Sequence, residues 1–109
     1  MADIFARPAD SVFTPTEPGV RRTILVHLPE MMMVRVEFEA GAAGAPHRHP
    51  HIQSSYVESG SFDVTIDGRT ERLPTGGAFI VPTNLVHGVV ALEPGVLIDV
   101  FTPRREEFL

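Results

Sequence analysis

The chain has 109 residues, enough for one domain with one core. Its hydrophobic content of 43% fits a globular protein, and its net charge of −5 argues against a nucleic-acid binder that relies on a basic surface. All nine basic residues are arginines, which excludes Schiff-base catalysis by an internal lysine; the lack of cysteine excludes thiol nucleophiles, disulfides and Cys-ligated metal sites.

The N-terminal residues Met1 to Pro8 lack the charged-then-apolar pattern of a signal peptide. No apolar run approaches the ~20 residues of a spanning helix. The expectation is a soluble cytoplasmic protein with no membrane or nucleic-acid partner. Pro8, Pro15, Pro18 and Gly19 mark residues 1–19 as a loop-rich N-terminal arm, with the folded domain at 20–109. Arg22 to Leu28 is β-branched and alternating. Met32, Val34, Val36 and Phe38 alternate with Met33, Arg35, Glu37 and Glu39, the period of a half-buried strand. Ser61 to Ile66 runs into Asp67-Gly68, a strong hairpin signal. Ala78 to Val81 is a short strand stopped by Pro82. His87 to Leu92 and Val96 to Phe101 follow, separated by Glu93-Pro94-Gly95, and Arg104 to Leu109 has room for one helical turn. Turns recurring every eight to twelve residues or so predict an all-β sandwich or barrel.

Four of the five histidines fall where a metal site needs them: His47, His49 and His51 in one stretch, and His87 far downstream. Residues i and i+2 of a strand share a side, ~6.6 Å apart by rise. His47 and His49 can therefore converge on one ion. Gln53 would lie roughly 13 Å from His49 along a straight strand, so the chain has to bend between them. Pro50 supplies the bend, because it fixes φ and removes a ladder N–H. His51 sits at the bend and is expected to point away. His27 is expected to be an ordinary core-edge residue, and Met31 to Met33 core and surface filler.

The run Gly41-x5-His47-x-His49-x3-Gln53-x6-Gly60 resembles the first signature of the cupin superfamily, with Gln where Glu is usual. Gly76-x5-Pro82-x-Asn84-x2-His87 resembles the second, with Asn84 where Gly is common. The resemblance implies a single-domain cupin double-sheet β-barrel, or jelly roll, with a metal inside and a homodimer as the assembly. Met31 to Val36, Ala45 to Gln53 and Leu97 to Leu109 are similar to the KdgF-type cupins of pectin degradation. Those enzymes convert cyclic 4,5-unsaturated uronates, released by pectin or alginate lyases, to their linear keto form. The resemblance implies His47, His49, Gln53 and His87 as metal ligands. It implies Asp99, Phe101 and Arg105 as catalytic residues, and a small sugar acid as substrate.

All four of those ligands are neutral, so the ion keeps its full charge as a Lewis acid; Ni, Zn, Mn, Fe and Co all remain open. Asp99 shares a strand face with Leu97 and Phe101, where a carboxylate is costly unless paired or functional. It is either a proton carrier with a pKa raised by desolvation or a structural Asp held by an arginine such as Arg105. Arg105 either grips a substrate carboxylate or is a solvated charge beside Arg104, Glu106 and Glu107. Phe101 either packs on a sugar ring or fills the barrel. Two other classes compete with the uronate reading: a metal-dependent dioxygenase on the same barrel, and a non-catalytic small-molecule-binding cupin.

Overall fold

A computed structural model describes residues 4–109; the first three residues of the arm lie outside the described residues. Ten strands follow in order: β1 (Thr14–Glu17), β2 (Val20–Leu28), β3 (Met31–Phe38), β4 (Ala43–His47), β5 (Ile52–Ser59), β6 (Ser61–Ile66), β7 (Arg69–Pro74), β8 (Ala78–Val81), β9 (His87–Ala91) and β10 (Gly95–Thr102). They form a six-stranded sheet, β1-β2-β3-β10-β5-β8, and a four-stranded sheet, β4-β9-β6-β7. Every pairing is antiparallel. This is the all-β double-sheet barrel expected. Among the described residues no helix is long and apolar enough to cross a membrane.

The alternation read in β3 sets its orientation. Met32, Val34 and Phe38 are buried, while Met31 and Met33 are exposed. One core cluster joins Val20, Phe38, Val57 and Leu97 of the larger sheet to Phe62, Val64 and Ala91 of the smaller. Phe62 is fully buried and meets the Phe38 ring edge-on at 5.1 Å. Truncating it leaves a cavity between the sheets. Phe62→Ala is expected to cost about 3–5 kcal/mol, visible as a lower urea midpoint with little change in slope.

Two turns show why their residues are needed. Asp67 (φ 49°) and Gly68 (φ 81°) both occupy the left-handed region, as a two-residue hairpin turn between β6 and β7 requires. Between β5 and β6, Gly60 (φ 81°) lies against Gly95; a Cβ on it would come within 2.8 Å of Gly95 Cα. This close approach lets β6 start directly against the first residue of β10.

Three parts of the sequence reading change. Thr14–Glu17, assigned to a loop-rich arm, forms edge strand β1 paired to β2. β5 was not anticipated at all. Its inward residues are Gln53, Ser55 and Val57, and its outward ones include Ile52 and Tyr56. That inverts the usual apolar-inside rule over half the strand, because its inner face lines a site rather than the core. The C-terminal turn is a short 3-10 segment, Glu106–Phe108. Phe108 packs on a second cluster of Met32, Val34 and Phe101, and so folds the tail back over one end of the barrel.

Candidate metal centre

His47 ends β4, and across the sheet its register partner is His87, the first residue of β9. A bulge between Gly44 and His47 accommodates Pro46, which cannot donate to the ladder. His49 lies beyond the strand, not on it as the i, i+2 spacing predicts. Its carbonyl accepts the Asn84 N–H at 2.8 Å, which ties the loop to the turn before β9. Asn84 has φ 63°, a conformation asparagine tolerates better than most residues, so it serves where glycine is common in the second signature. The chain bends at Pro50 and His51 and re-enters as β5, bringing Gln53 inward.

One ring nitrogen from each of His47, His49 and His87 lies within 4.8 Å of the others. His49 and His87 are buried and His47 is exposed. Their hydrogen bonds decide which nitrogen faces the centre. Nδ1 of His47 donates to the Ala45 carbonyl at 2.8 Å, that of His49 to the His51 carbonyl at 3.1 Å, and that of His87 to the Leu85 carbonyl at 2.9 Å. A carbonyl can only accept, so each Nδ1 carries the proton and each neutral ring keeps its lone pair on Nε2. Nε2 of His87 is buried with no hydrogen-bond partner among the described residues. Burial lowers the His87 pKa to about 4, and burial together with Arg105 lowers that of His49, so both rings stay neutral near pH 7.

Gln53 completes the donor set. Its Oε1 is 3.1 Å from His49 Nε2, while its amide nitrogen donates to Ser55 Oγ at 3.0 Å. Two lone pairs therefore face each other across 3.1 Å with no hydrogen to share. Such a contact is repulsive unless a cation lies between its partners. Three imidazole lone pairs and an amide oxygen are donors that can hold a divalent transition metal, with carbonyls fixing each ring from behind.

A cavity of about 240 Å³ opens beside these residues, lined also by Asp99, Phe101 and Arg105. Asp99 is buried on β10 opposite Ser55 of β5, whose hydroxyl donates to Asp99 Oδ1 at 2.6 Å. Burial pushes the Asp99 pKa up to about 6; the Ser55 hydrogen bond and the Arg105 charge hold it from rising further. Arg105 is not the solvated residue that its charged neighbours suggest. Its side chain is 12% exposed, pairs with Glu107 at 2.5 Å, and stacks near the rings of Phe101 (5.0 Å) and Phe108 (4.5 Å). It makes no ion pair with Asp99; the direct partner of that carboxylate is Ser55.

His47, Gln53, His87, Asp99, Phe101 and Arg105 line one cavity, and His49 adjoins it through the three-nitrogen cluster and a 5.8 Å ring contact with Phe101. His51 stays outside the three-nitrogen cluster, its ring 5.4 Å from that of His49. His27 is a half-buried strand residue 3.3 Å from Arg104. Two residues escaped the sequence reading. Ser55 bridges Gln53 and Asp99. Arg22 lines the cavity and stacks on Phe108 at 3.6 Å, its pKa lowered by burial and then by the charge of Arg105. The signal for Arg22 was available: it occupies every second position with Val20 and Ile24, a cation on an otherwise apolar face.

The chain also compares closely with known proteins. A Cupin domain family model matches residues 34–101, which include every residue of the donor set. The Pectin degradation protein KdgF of Dickeya dadantii is 48% identical over 93 residues, covering 84% of each chain. The structure of KdgF from Halomonas sp. superposes with a TM-score of 0.94 at 42% identity, covering 98% of this chain and 99% of that one. An RmlC-like cupin from Shewanella frigidimarina superposes with a TM-score of 0.95 at 37% identity, covering 98% of this chain and 96% of that one. Sequence, topology and donor geometry agree: the chain belongs to the cupins and, among them, to the KdgF family.

Proposed function

We propose that this chain is a metal-dependent isomerase that opens cyclic 4,5-unsaturated uronates, of the kind released from pectin or alginate, to their linear keto form. The observation that carries this reading is the shared cavity, where His47, Gln53 and His87 of a neutral donor set face the same space as the buried Asp99 carboxyl and Arg105. The name of the 48% identical relative supports the pathway.

One divalent ion per chain, held by His47, His49, Gln53 and His87, would supply Lewis-acid polarisation of substrate oxygens. Ni, Zn, Mn, Fe and Co all suit nitrogen and oxygen donors. Arg105 holds the substrate carboxylate, and Phe101 packs against the sugar ring. Asp99 takes the proton of the anomeric hydroxyl as the bond from carbon 1 to the ring oxygen breaks. The electron pair of that bond stays on the ring oxygen, which becomes an enolate at carbon 5. Asp99 then returns the same proton to carbon 4, and the enolate collapses to the ketone. No atom is gained or lost, as an isomerisation requires. A carboxyl with a pKa near 6 suits both directions of transfer near neutral pH.

The reading keeps the barrel domain at 20–109 with 1–19 as an arm that lends it edge strand β1, in the cytoplasm, as a homodimer. The outer face of the larger sheet supports that assembly, since Met33, Tyr56 and Ile80 are exposed on it. The direct test uses the purified chain, prepared without a histidine tag, and a 4,5-unsaturated uronate. The absorbance of the conjugated double bond is expected to fall faster than in buffer alone, without oxygen uptake. A decay equal to that in buffer would remove the proposal.

A further inference from the structure

The donor set is not self-orienting. A glutamine amide presents either its oxygen or its NH₂, and only the oxygen can ligate a cation. In this chain the choice is made one residue pair away. Gln53 Nε2 donates to Ser55 Oγ at 3.0 Å, and Ser55 Oγ donates to Asp99 Oδ1 at 2.6 Å. All three residues are buried, with Ser55 only 2% exposed. A serine hydroxyl has a single hydrogen. Once that hydrogen is committed to an ionised carboxylate, Oγ can only accept. The amide must then turn its NH₂ toward Ser55 and its oxygen toward the histidines. Run backwards, with Asp99 as donor, the chain would point Gln53 Nε2 at His49 and close the centre to a cation.

We infer that Ser55 is a positioning residue that fixes the polarity of the Gln53 amide, so that its oxygen faces the histidine cluster, and that ties this choice to the carboxylate of Asp99. The backbone supports the arrangement. Ser55 and Asp99 are register partners on β5 and β10, and Gln53 and Phe101 are the next inward pair, so the relay joins successive inward positions of one sheet. Ser55 does not line the cavity; it acts through Gln53.

The inference rests on the reading of the cluster as a cation site, and the two fail differently. The probe is Zn²⁺ alone, titrated into the full metal-free chain against a competing chelator dye. If the unaltered protein shows no stoichiometric binding, the cation site itself is wrong. Given binding, Ser55→Ala is expected to weaken Zn²⁺ affinity by about 10–100-fold, the usual effect of losing a residue that orients a ligand. Ser55→Thr keeps the hydroxyl and is expected to stay within about threefold of the unaltered chain. In a Gln53→Ala background the Ser55→Ala loss is expected to vanish, because no amide remains to orient. Equal losses in both backgrounds, or unaltered affinity in Ser55→Ala, would overturn the inference. Ser55→Cys fills the same space with a weak hydrogen-bonding atom and is expected to repeat the alanine loss if that variant does not fold. In the unaltered Zn²⁺-loaded chain, NMR is expected to show the Gln53 amide protons against Ser55. Amide protons against the His49 ring instead would refute it without any substitution.

Discussion

Asp99→Asn is expected to fold, to bind a divalent cation, and to lose turnover of unsaturated uronate by roughly 10²–10⁴-fold, the range for removing a general acid–base group. The substitution is nearly isosteric. An asparagine Oδ1 still accepts the Ser55 hydrogen, so the donor set keeps its orientation. What disappears is a group that exchanges protons. With its pKa near 6, Asp99 is mostly ionised at pH 7, and kcat/KM is expected to fall as pH drops through about 6. The groups facing it, Ser55 by hydrogen bond and Arg105 by charge, both favour the ionised form, but burial outweighs them. A variant with undiminished turnover would take Asp99 out of the chemistry.

The same shift has a signature in stability. A carboxyl raised from 3.8 to about 6 favours the folded state while protonated. That contribution is fully present below the unfolded pKa and is lost as pH rises through about 6. The loss is on the order of 3 kcal/mol at most, from about two pKa units. His87 acts in the opposite direction. Its pKa is depressed to about 4, so its contribution is present above 6.5 and is lost as pH falls through about 4. Comparing Asp99→Asn with the unaltered chain isolates the carboxyl. Without metal, the variant is expected to gain relative stability between pH 4 and pH 8 in chemical denaturation. A constant difference across that range would mean that Asp99 ionises freely.

Removing the cation or one of its imidazoles is expected to have the largest effect on activity. Chelator-treated protein is expected to lose turnover and to recover it when a divalent transition metal is returned. His49→Ala and His87→Ala are each expected to weaken metal binding by more than about 100-fold, beyond the range for a mere orienting residue. The cause lies in the acceptor-only geometry, where Nε2 of His87 is buried without a partner and that of His49 faces an oxygen. Truncating either ring removes a ligand that the carbonyls of Leu85 and His51 hold in its tautomer. Elemental analysis alongside the rate decides the matter. Full turnover by protein with no detectable metal would contradict the proposed role.

Much of the barrel was legible along the chain. β6 and β8 fell where the Asp67-Gly68 turn and Pro82 put them, and β2, β3, β9 and β10 within a residue or two. The histidine spacing also named the cluster, although His49 sits on a loop rather than a strand. β5 escaped notice because its inner face is polar at Gln53 and Ser55, and a period-two reading takes polar residues as outward. Arg105 was named through the family resemblance, but its burial was not legible. Its neighbours Arg104, Glu106 and Glu107 suggest solvent, and nothing local says that Phe108 folds the tail back onto Met32 and Val34.

By itself the sequence determined which chemistry was available: neutral imidazole and amide donors, one carboxylate among apolar neighbours, no thiol and no amine. It also determined most strands, because alternation and turn residues act over a few positions. The tertiary structure alone decided which way the site faces. Barrel closure puts β5 beside β10, sets Ser55 between Gln53 and Asp99, and brings both Arg22 and Arg105 to the ring of Phe108. Those are contacts between residues distant in the chain. A strand's period assigns its side chains to two faces, but only packing against the other sheet determines which face is inside.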